Sequence, residues 1–169
     1  AVVAATGARW RTLDVPGAEA LTGRGVFYGS AATEGPACAG EDIYIVGAAN
    51  SAGQAAVFLS QHAERVTLLV RGDSLERSMS YYLARQVDEI PNIEVRLSTE
   101  VIGVDGEDHL EQLTLCETRA GEQETVRAGY LFVFIGAEPR TEWLEGVLGR
   151  DARGFVLTGP DLMLDGQRP

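Results

Sequence analysis

A short run of small residues has the spacing of a phosphate-binding turn. It follows the apolar segment 43–46 (IYIV) and can be compared with G-x-G-x-x-G/A, in which a tight turn brings the first N–H groups of a helix to a diphosphate. Gly47 supplies the glycine at the strand end, and Ala52 is small enough for close helix–strand packing. Ala49 replaces the second glycine, so its methyl group intrudes where backbone should approach the diphosphate. The candidate diphosphate residues are Gly47, Ala48, Ala49, Asn50, Ser51 and Ala52.

Two interpretations of this turn are open. The unpaired N–H groups and the dipole of a helix N-terminus attract a diphosphate without any cationic side chain, and Ser51 could add a hydroxyl donor. Alternatively, the turn merely connects a strand to a helix, because a pattern with two of its three key positions is weak by itself. The residues after the next strand distinguish the two.

Two arginines follow the turn where a dinucleotide site recognises the adenosine ribose. About 20 residues beyond such a turn, an NAD site carries an acidic residue and an NADP site an arginine. Arg71 stands there, after the apolar run 66–70, and Arg77 follows in what we predict to be the first turn of the next helix, within reach of the same 2′-phosphate. Asp73 is better explained as a helix cap. NADP is thus favoured over NAD, the alternative being that both arginines are solvated surface charges.

Apolar periodicity indicates the elements that position these residues. Asp73 and Glu76 have the spacing of a capping box, and Pro91 ends the helix that follows them. Residues 11–36 show no sustained period and are interpreted as connecting structure. The predicted strands are 1–5, 43–46, 66–70, 93–97 and 130–135, with helices near 55–59 and 73–90 and a hairpin within 113–126. This order predicts an α/β fold, a doubly wound, Rossmann-like three-layer domain with a parallel sheet and an inserted β-hairpin or β-meander.

Composition limits the partners of the protein. Fourteen basic and 25 acidic residues give a net charge of −11, so nucleic acid is not an expected partner. No apolar run approaches the roughly 18 residues that span a bilayer, so no membrane association is expected. Cys38 and Cys116 lack C-x-x-C spacing, which argues against a disulfide scaffold or a metal site and favours the cytoplasm.

Three matches in the same order, the first made of two short segments, give the chain a resemblance to thioredoxin reductase-like flavoproteins, which are FAD- and NAD(P)-dependent pyridine nucleotide-disulfide oxidoreductases. Residues 4–8 (AATGA) and 13–17 (LDVPG) resemble a flavin-domain strand and the I-P-G segment after it. Residues 46–56 (VGAANSAGQAA) resemble the turn of the nicotinamide domain, and 132–141 (FVFIGAEPRT) resemble its returning strand. Jointly the matches are specific, because this family interrupts its flavin domain with the nicotinamide domain.

The resemblance implies hydride transfer from NADPH to a bound FAD. Residues 47–52 would hold the diphosphate and Arg71 and Arg77 the 2′-phosphate, while Ile135 and Gly136 would line the adenosine side of the cleft. Ile135 could equally be a core residue. The resemblance also implies a homodimeric parent protein with three parts in this chain: a flavin-domain remnant and linker over 1–39, an NAD(P)H-binding domain over 40–139, and a linker back to the flavin domain over 140–169.

The chain also departs from the family pattern. Where thioredoxin reductases carry a C-x-x-C pair, after a segment similar to 25–28 (GVFY), this sequence continues GSAAT, and Cys38 alone cannot replace a dithiol. No catalytic residue is assigned, and neither His62 nor His109 has a partner pattern. Two alternatives are therefore kept: electron transfer to a redox carrier protein, as in ferredoxin reductases of this type, and a non-catalytic module that senses NADP.

The flavin-binding segments expected of the family do not occur in the sequence. The flavin fingerprint is expected ahead of Ala1, and a Gly-Asp segment is expected near the C-terminus. We therefore expect the chain to be part of a longer protein, to be inactive by itself, and to meet FAD only in the full-length parent.

Overall fold

A computed structural model describes residues 3–29 and 33–162 of the chain. Contacts divide it into a large unit, Thr12–Ile135, and a small unit formed by the segments before and after it. Short 3₁₀ turns lie at Gly35–Cys38, Glu142–Leu144 and Gly159–Leu162. The strands and helices, in chain order, are β1 (Ala8–Trp10), β2 (Val26–Tyr28), β3 (Asp42–Val46), α1 (Asn50–Leu59), β4 (Arg65–Leu69), α2 (Tyr81–Glu89), β5 (Ile93–Arg96), β6 (Thr99–Asp105), β7 (Gln112–Glu117), β8 (Gln123–Arg127), β9 (Tyr130–Val133) and β10 (Ala137–Pro139).

The large unit is built on a five-stranded parallel sheet with the order β2-β9-β3-β4-β5. Its central strands are almost continuously apolar because both faces of the sheet are covered, and Ile43, Ile45 and Phe132 are fully buried. From β3 the chain runs through α1 to β4 and through α2 to β5, whereas β9 lies on the other side of β3. The strand order therefore reverses between β3 and β9.

Each face of this sheet packs on a different layer. Helices α1 and α2 cover one face, where Ala56, Leu59 and Val87 are buried against the strands. The antiparallel meander β6-β7-β8 covers the other, with Leu113 and Leu115 in its core. The predicted three-layer α/β fold with a parallel sheet is confirmed, and the inserted β-structure is a three-stranded meander.

Helix α2 is shorter than the apolar pattern predicts. It begins at Tyr81, and the predicted Asp73 capping box does not form, because the N–H of Glu76 donates to Ser74 Oγ at 3.1 Å. Serine side chains compete with a helix for its backbone groups, which keeps the segment before Ser80 in turns. Arg77 therefore lies before the helix and not in its first turn. The helix ends at Glu89, just before Pro91, as predicted.

Two predictions near the N-terminus were wrong in detail. Residues 11–36, interpreted as connecting structure, contain β2, an edge strand that pairs with β9 and buries Val26. In the predicted strand 1–5, the described residues 3–5 are not a strand, and Ala1 and Val2 lie outside the described residues. The small unit instead pairs β1 with β10 in antiparallel fashion. The domain boundaries at residues 40 and 139 stay predictions, and the parallel sheet includes β2, which precedes residue 40.

Candidate functional site

The turn after β3 has a geometry that requires glycine. Gly47 has a φ of +151°, which L side chains rarely adopt. A Cβ atom built on Gly47 would lie 2.7 Å from the carbonyl oxygen of Phe134 and 2.9 Å from Ala52 Cβ. Gly47 thus lets the ends of β3 and β9 approach each other where α1 begins, and Ala52, fully buried, is the small residue that this packing needs.

Helix α1 presents its N-terminus at this turn. Ala49 is the N-cap residue in extended conformation, and its carbonyl oxygen accepts the N–H groups of Ala52 and Gly53 at 3.0 and 3.2 Å. The N–H groups that precede these two have no acceptor within the helix. Ala49, Asn50 and Ser51 are exposed. The turn therefore offers open N–H donors and a positive dipole end, an arrangement suited to a phosphate group.

The turn also lies where the strand order of the sheet reverses. Open parallel α/β sheets bind ligands outside the carboxyl ends of the two strands at such a point, here β3 and β9. Ile135 follows β9, is partly buried and packs against the core between sheet and meander, so its core interpretation also fits. Gly136 belongs to the small unit, where it is exposed with a φ of +99° and its carbonyl oxygen accepts the Arg11 N–H.

The two predicted arginines lie in the segment after β4, the strand next to β3. Arg71 is two residues past the strand; its side chain is 85% exposed and its Nε lies 3.8 Å from Glu100 Oε1. Arg77 is 76% exposed, and its Nη1 lies 2.9 Å from Asp73 Oδ1. Such surface pairs are worth only about 0–1 kcal/mol, so either guanidinium can exchange its carboxylate for a phosphate at little cost. Asp73, predicted as a helix cap, is instead the partner of Arg77.

Two serines that the sequence analysis did not identify connect this segment to the turn. Ser78 Oγ donates to the Ala48 carbonyl oxygen, and the N–H of Ser80 donates to Asn50 Oδ1, both at 2.8 Å. The side-chain oxygen of Asn50 therefore accepts a hydrogen bond from within the protein. The sequence signal for these contacts is no more than three serines within the segment 74–80, which is not specific.

The cysteines and histidines lie in structural surroundings. Cys38 is fully buried just before β3, at the opposite end of that strand from Gly47. Burial, together with the nearby carboxylates of Glu34 and Glu41, raises the pKa of the Cys38 thiol to about 11. His62 packs against Phe58, with ring centroids 5.1 Å apart, and His109 packs edge-on against Tyr130.

Neither a metal centre nor a membrane span is found in the part of the chain that the structure describes. No three His, Cys, Asp or Glu residues are grouped there so that they could hold a metal ion. Likewise, neither helix within residues 3–29 and 33–162 has the length and hydropathy to cross a bilayer.

Comparison with known proteins gives the family. The model of the family described as "Pyridine nucleotide-disulphide oxidoreductase" matches residues 1–162. Thioredoxin reductase from Streptomyces clavuligerus is 37% identical over 156 residues, which are 92% of this chain and 48% of that protein. NADH dehydrogenase from Bacillus subtilis is 31% identical over 156 residues, 92% of this chain and 30% of that protein.

Solved structures agree with the sequence matches. The crystal structure of thioredoxin reductase from Streptococcus pyogenes superimposes with a TM-score of 0.81 and 27% identity, over 91% of this chain and 50% of that chain. The present chain thus spans about half the length of the thioredoxin reductases that it matches. It belongs to the pyridine nucleotide-disulphide oxidoreductase family and is similar to part of the thioredoxin reductases.

Proposed function

We propose that this chain is the NAD(P)H-binding part of a thioredoxin reductase-like flavoprotein, in which it delivers hydride from NADPH to FAD. The observation that carries the proposal is the Gly47 turn, which directs the N-terminus of α1 to the point where the strand order reverses. In this proposal residues 40–139 form the nucleotide-binding domain, and 1–39 and 140–169 belong to the flavin domain and its linkers.

The diphosphate of the dinucleotide would bind at the start of α1. The N–H groups of the exposed residues Ala49, Asn50 and Ser51 would act as donors, and the helix dipole would supply the positive potential. The methyl group of Ala49 stands where the family pattern has glycine, so we expect the affinity for NADPH and for NADH to fall equally. The ratio of the two affinities is therefore the informative quantity.

The 2′-phosphate of NADPH would be held by Arg71 and Arg77. Each guanidinium is exposed and forms an ion pair with one surface carboxylate among the residues that the structure describes, so a phosphate can replace that partner. Charge-assisted hydrogen bonds of this kind are worth about 1.5–3 kcal/mol each, which favours NADPH over NADH. The adenosine would pass along the ends of β3 and β9, beside Ile135.

In the proposed reaction, hydride passes from one cofactor to the other. When FAD is bound in the whole protein, it supplies the hydride acceptor, and residues of this chain bind and orient the donor.

A second candidate function is electron transfer to a redox carrier protein. It is favoured by residues 29–33 (GSAAT), which stand where thioredoxin reductases carry their C-x-x-C pair.

Calorimetric titration tests the NADP preference with a matched pair of variants. Arg71→Ala removes the arginine after β4, whereas Arg65→Ala removes the arginine at the start of the same strand, whose Nε lies 3.9 Å from Asp42 Oδ1. We expect the unmodified chain to bind NADPH more tightly than NADH. Arg71→Ala should weaken NADPH binding about tenfold or more and leave NADH binding unchanged.

The Arg65→Ala control should leave both affinities unchanged, because Arg65 lies at the amino end of β4, away from the turn. Equal affinities of the unmodified chain for the two cofactors would overturn the NADP assignment. So would an Arg71→Ala loss that NADPH and NADH share.

A further inference from the structure

The segment between β4 and α2 is fastened to the predicted diphosphate turn by two hydrogen bonds. Ser78 Oγ donates to the carbonyl oxygen of Ala48, and Ser80 N–H donates to Asn50 Oδ1, each at 2.8 Å. Both acceptors belong to the turn, and both donors follow Arg77 closely in the chain. On the basis of the proposed function, we infer that Ser78 and Asn50 are positioning residues for the 2′-phosphate: they fix the arginine-bearing segment at a set distance from the diphosphate site.

The same segment is anchored in the core between these two bonds. Met79 is only 4% exposed and packs with the helices. A Cβ atom on Gly53 would lie 2.7 Å from Met79 Cε, so the glycine in α1 allows Met79 to approach the helix closely. Contacts at Ala48, Asn50 and Gly53 therefore hold residues 78–80 along the diphosphate turn and the start of α1.

The start of the segment is fixed to a different part of the sheet. The N–H of Ser98 donates to the Gly72 carbonyl oxygen at 2.8 Å, and the N–H of Thr99 donates to that of Val70 at 3.0 Å. Arg71 is therefore held from the side of β6, whereas Arg77 is held from the side of α1. The ion pair between Arg77 and Asp73 links the part of the segment that is held near β6 to the part that is held near α1.

This arrangement matters because the ligand has its own fixed geometry. In NADP the 2′-phosphate and the diphosphate are joined through one ribose, so the protein must offer its two phosphate sites at a matching separation. Binding groups contribute fully only when they are held within about 0.5 Å of the productive position. Ser78 sets that separation for Arg77 without touching the 2′-phosphate, whereas Arg71 has an anchor of its own.

The inference separates Ser78 from a residue that only stabilises the fold. Loss of a merely stabilising bond lowers the melting temperature and leaves cofactor selectivity unchanged. Loss of a positioning bond lowers the affinity for NADP⁺ and spares NAD⁺, which has no 2′-phosphate. The effect must also vanish when Arg77 is absent, because Ser78 acts through Arg77.

The test is calorimetric titration of the 169-residue chain with NADP⁺ and with NAD⁺, alongside thermal unfolding. Ser78→Ala should weaken NADP⁺ binding about threefold to tenfold and change NAD⁺ binding less than about twofold. Ser78→Thr keeps the hydroxyl and should restore the selectivity. Ser60→Ala is the matched control, because Ser60 Oγ donates to the Val57 carbonyl oxygen at 2.9 Å at the other end of α1.

A double-mutant cycle completes the experiment. In an Arg77→Ala background, Ser78→Ala should leave NADP⁺ affinity unchanged. The inference is overturned if Ser78→Ala weakens both cofactors equally, if it leaves a clear NADP⁺ preference intact, or if its effect persists without Arg77. If the unmodified chain shows no NADP⁺ preference, the NADP assignment and this inference both fail. If the unmodified chain shows the preference and Ser78→Ala leaves it intact, only this inference fails.

Discussion

A Cβ atom at Gly47 would lie 2.7 Å from the carbonyl oxygen of Phe134, so these two residues meet at a separation that only glycine allows. The contact joins the carboxyl ends of β3 and β9, the strands between which the order of the sheet reverses. It thereby sets the shape of the turn that we propose as the diphosphate site.

We expect Gly47→Ala to lower the free energy of unfolding by about 1–3 kcal/mol or more, because the side chain meets backbone and the φ of +151° is strained for alanine. Urea unfolding measures the loss, and calorimetry should show weaker binding of both NADPH and NADH. Gly103→Ala is the control, since its Cβ would lie 3.5 Å from Thr114 in ordinary contact. Equal stability of the two variants would show that the turn tolerates a side chain.

The preference for NADP⁺ over NAD⁺ should depend on pH through the ligand. The second ionisation of a phosphate monoester has a pKa of about 6, so the 2′-phosphate loses one negative charge as the pH falls through that value. We expect the selectivity to fall by up to about tenfold from pH ~8 to pH ~5, with NAD⁺ binding much less affected. The chain's two histidines pack against Phe58 and Tyr130, towards the amino ends of the parallel strands, and are not positioned to produce this effect. A selectivity that is constant over this range would argue against phosphate recognition.

Cys38 should be unreactive in the folded chain at pH ~8. With its pKa raised from 9.0 to about 11, its thiolate fraction there is about a hundredfold lower than that of an unperturbed thiol, and burial limits access further. The raised pKa contributes stability that is fully present below pH ~9 and is lost as the pH rises through about 11. Mass spectrometry after alkylation with iodoacetamide, with and without urea, measures the protection. Equal rates in the two conditions would refute it.

The candidate turn could be predicted from sequence because its signal is local. A strand, a glycine and a small-residue helix start follow one another within residues 43–53. Along the predicted helix 73–90 the apolar period places Met79, Leu83 and Val87 in the core, whereas Tyr82 is 76% exposed. The same period did not distinguish a helix from the turns before Tyr81, because residues 75–79 form a helix-like turn in which the N–H groups of Ser78 and Met79 both donate to the Leu75 carbonyl oxygen.

Other features depend on partners that are distant in sequence. Strand β2 has three residues between Gly25 and Gly29, too few for a period, and exists because it pairs with β9. The Ser78–Ala48 and Ser80–Asn50 bonds likewise require α1 and α2 to pack side by side first. Single-sequence reasoning has no access to such pairs, because the residues around either partner do not indicate the other.

The most direct test of the central claim is an NMR titration of the ¹⁵N-labelled chain with NADP⁺, which reports where the diphosphate binds. We expect the largest amide shift changes at Ala49, Asn50 and Ser51, at the open N-terminus of α1, with further changes at Arg71 and Arg77. NAD⁺ should reproduce the changes at α1 and leave those at the two arginines much smaller. Shift changes that cluster away from the start of α1, or their absence at saturating NADP⁺, would contradict the assignment of this turn as the dinucleotide site.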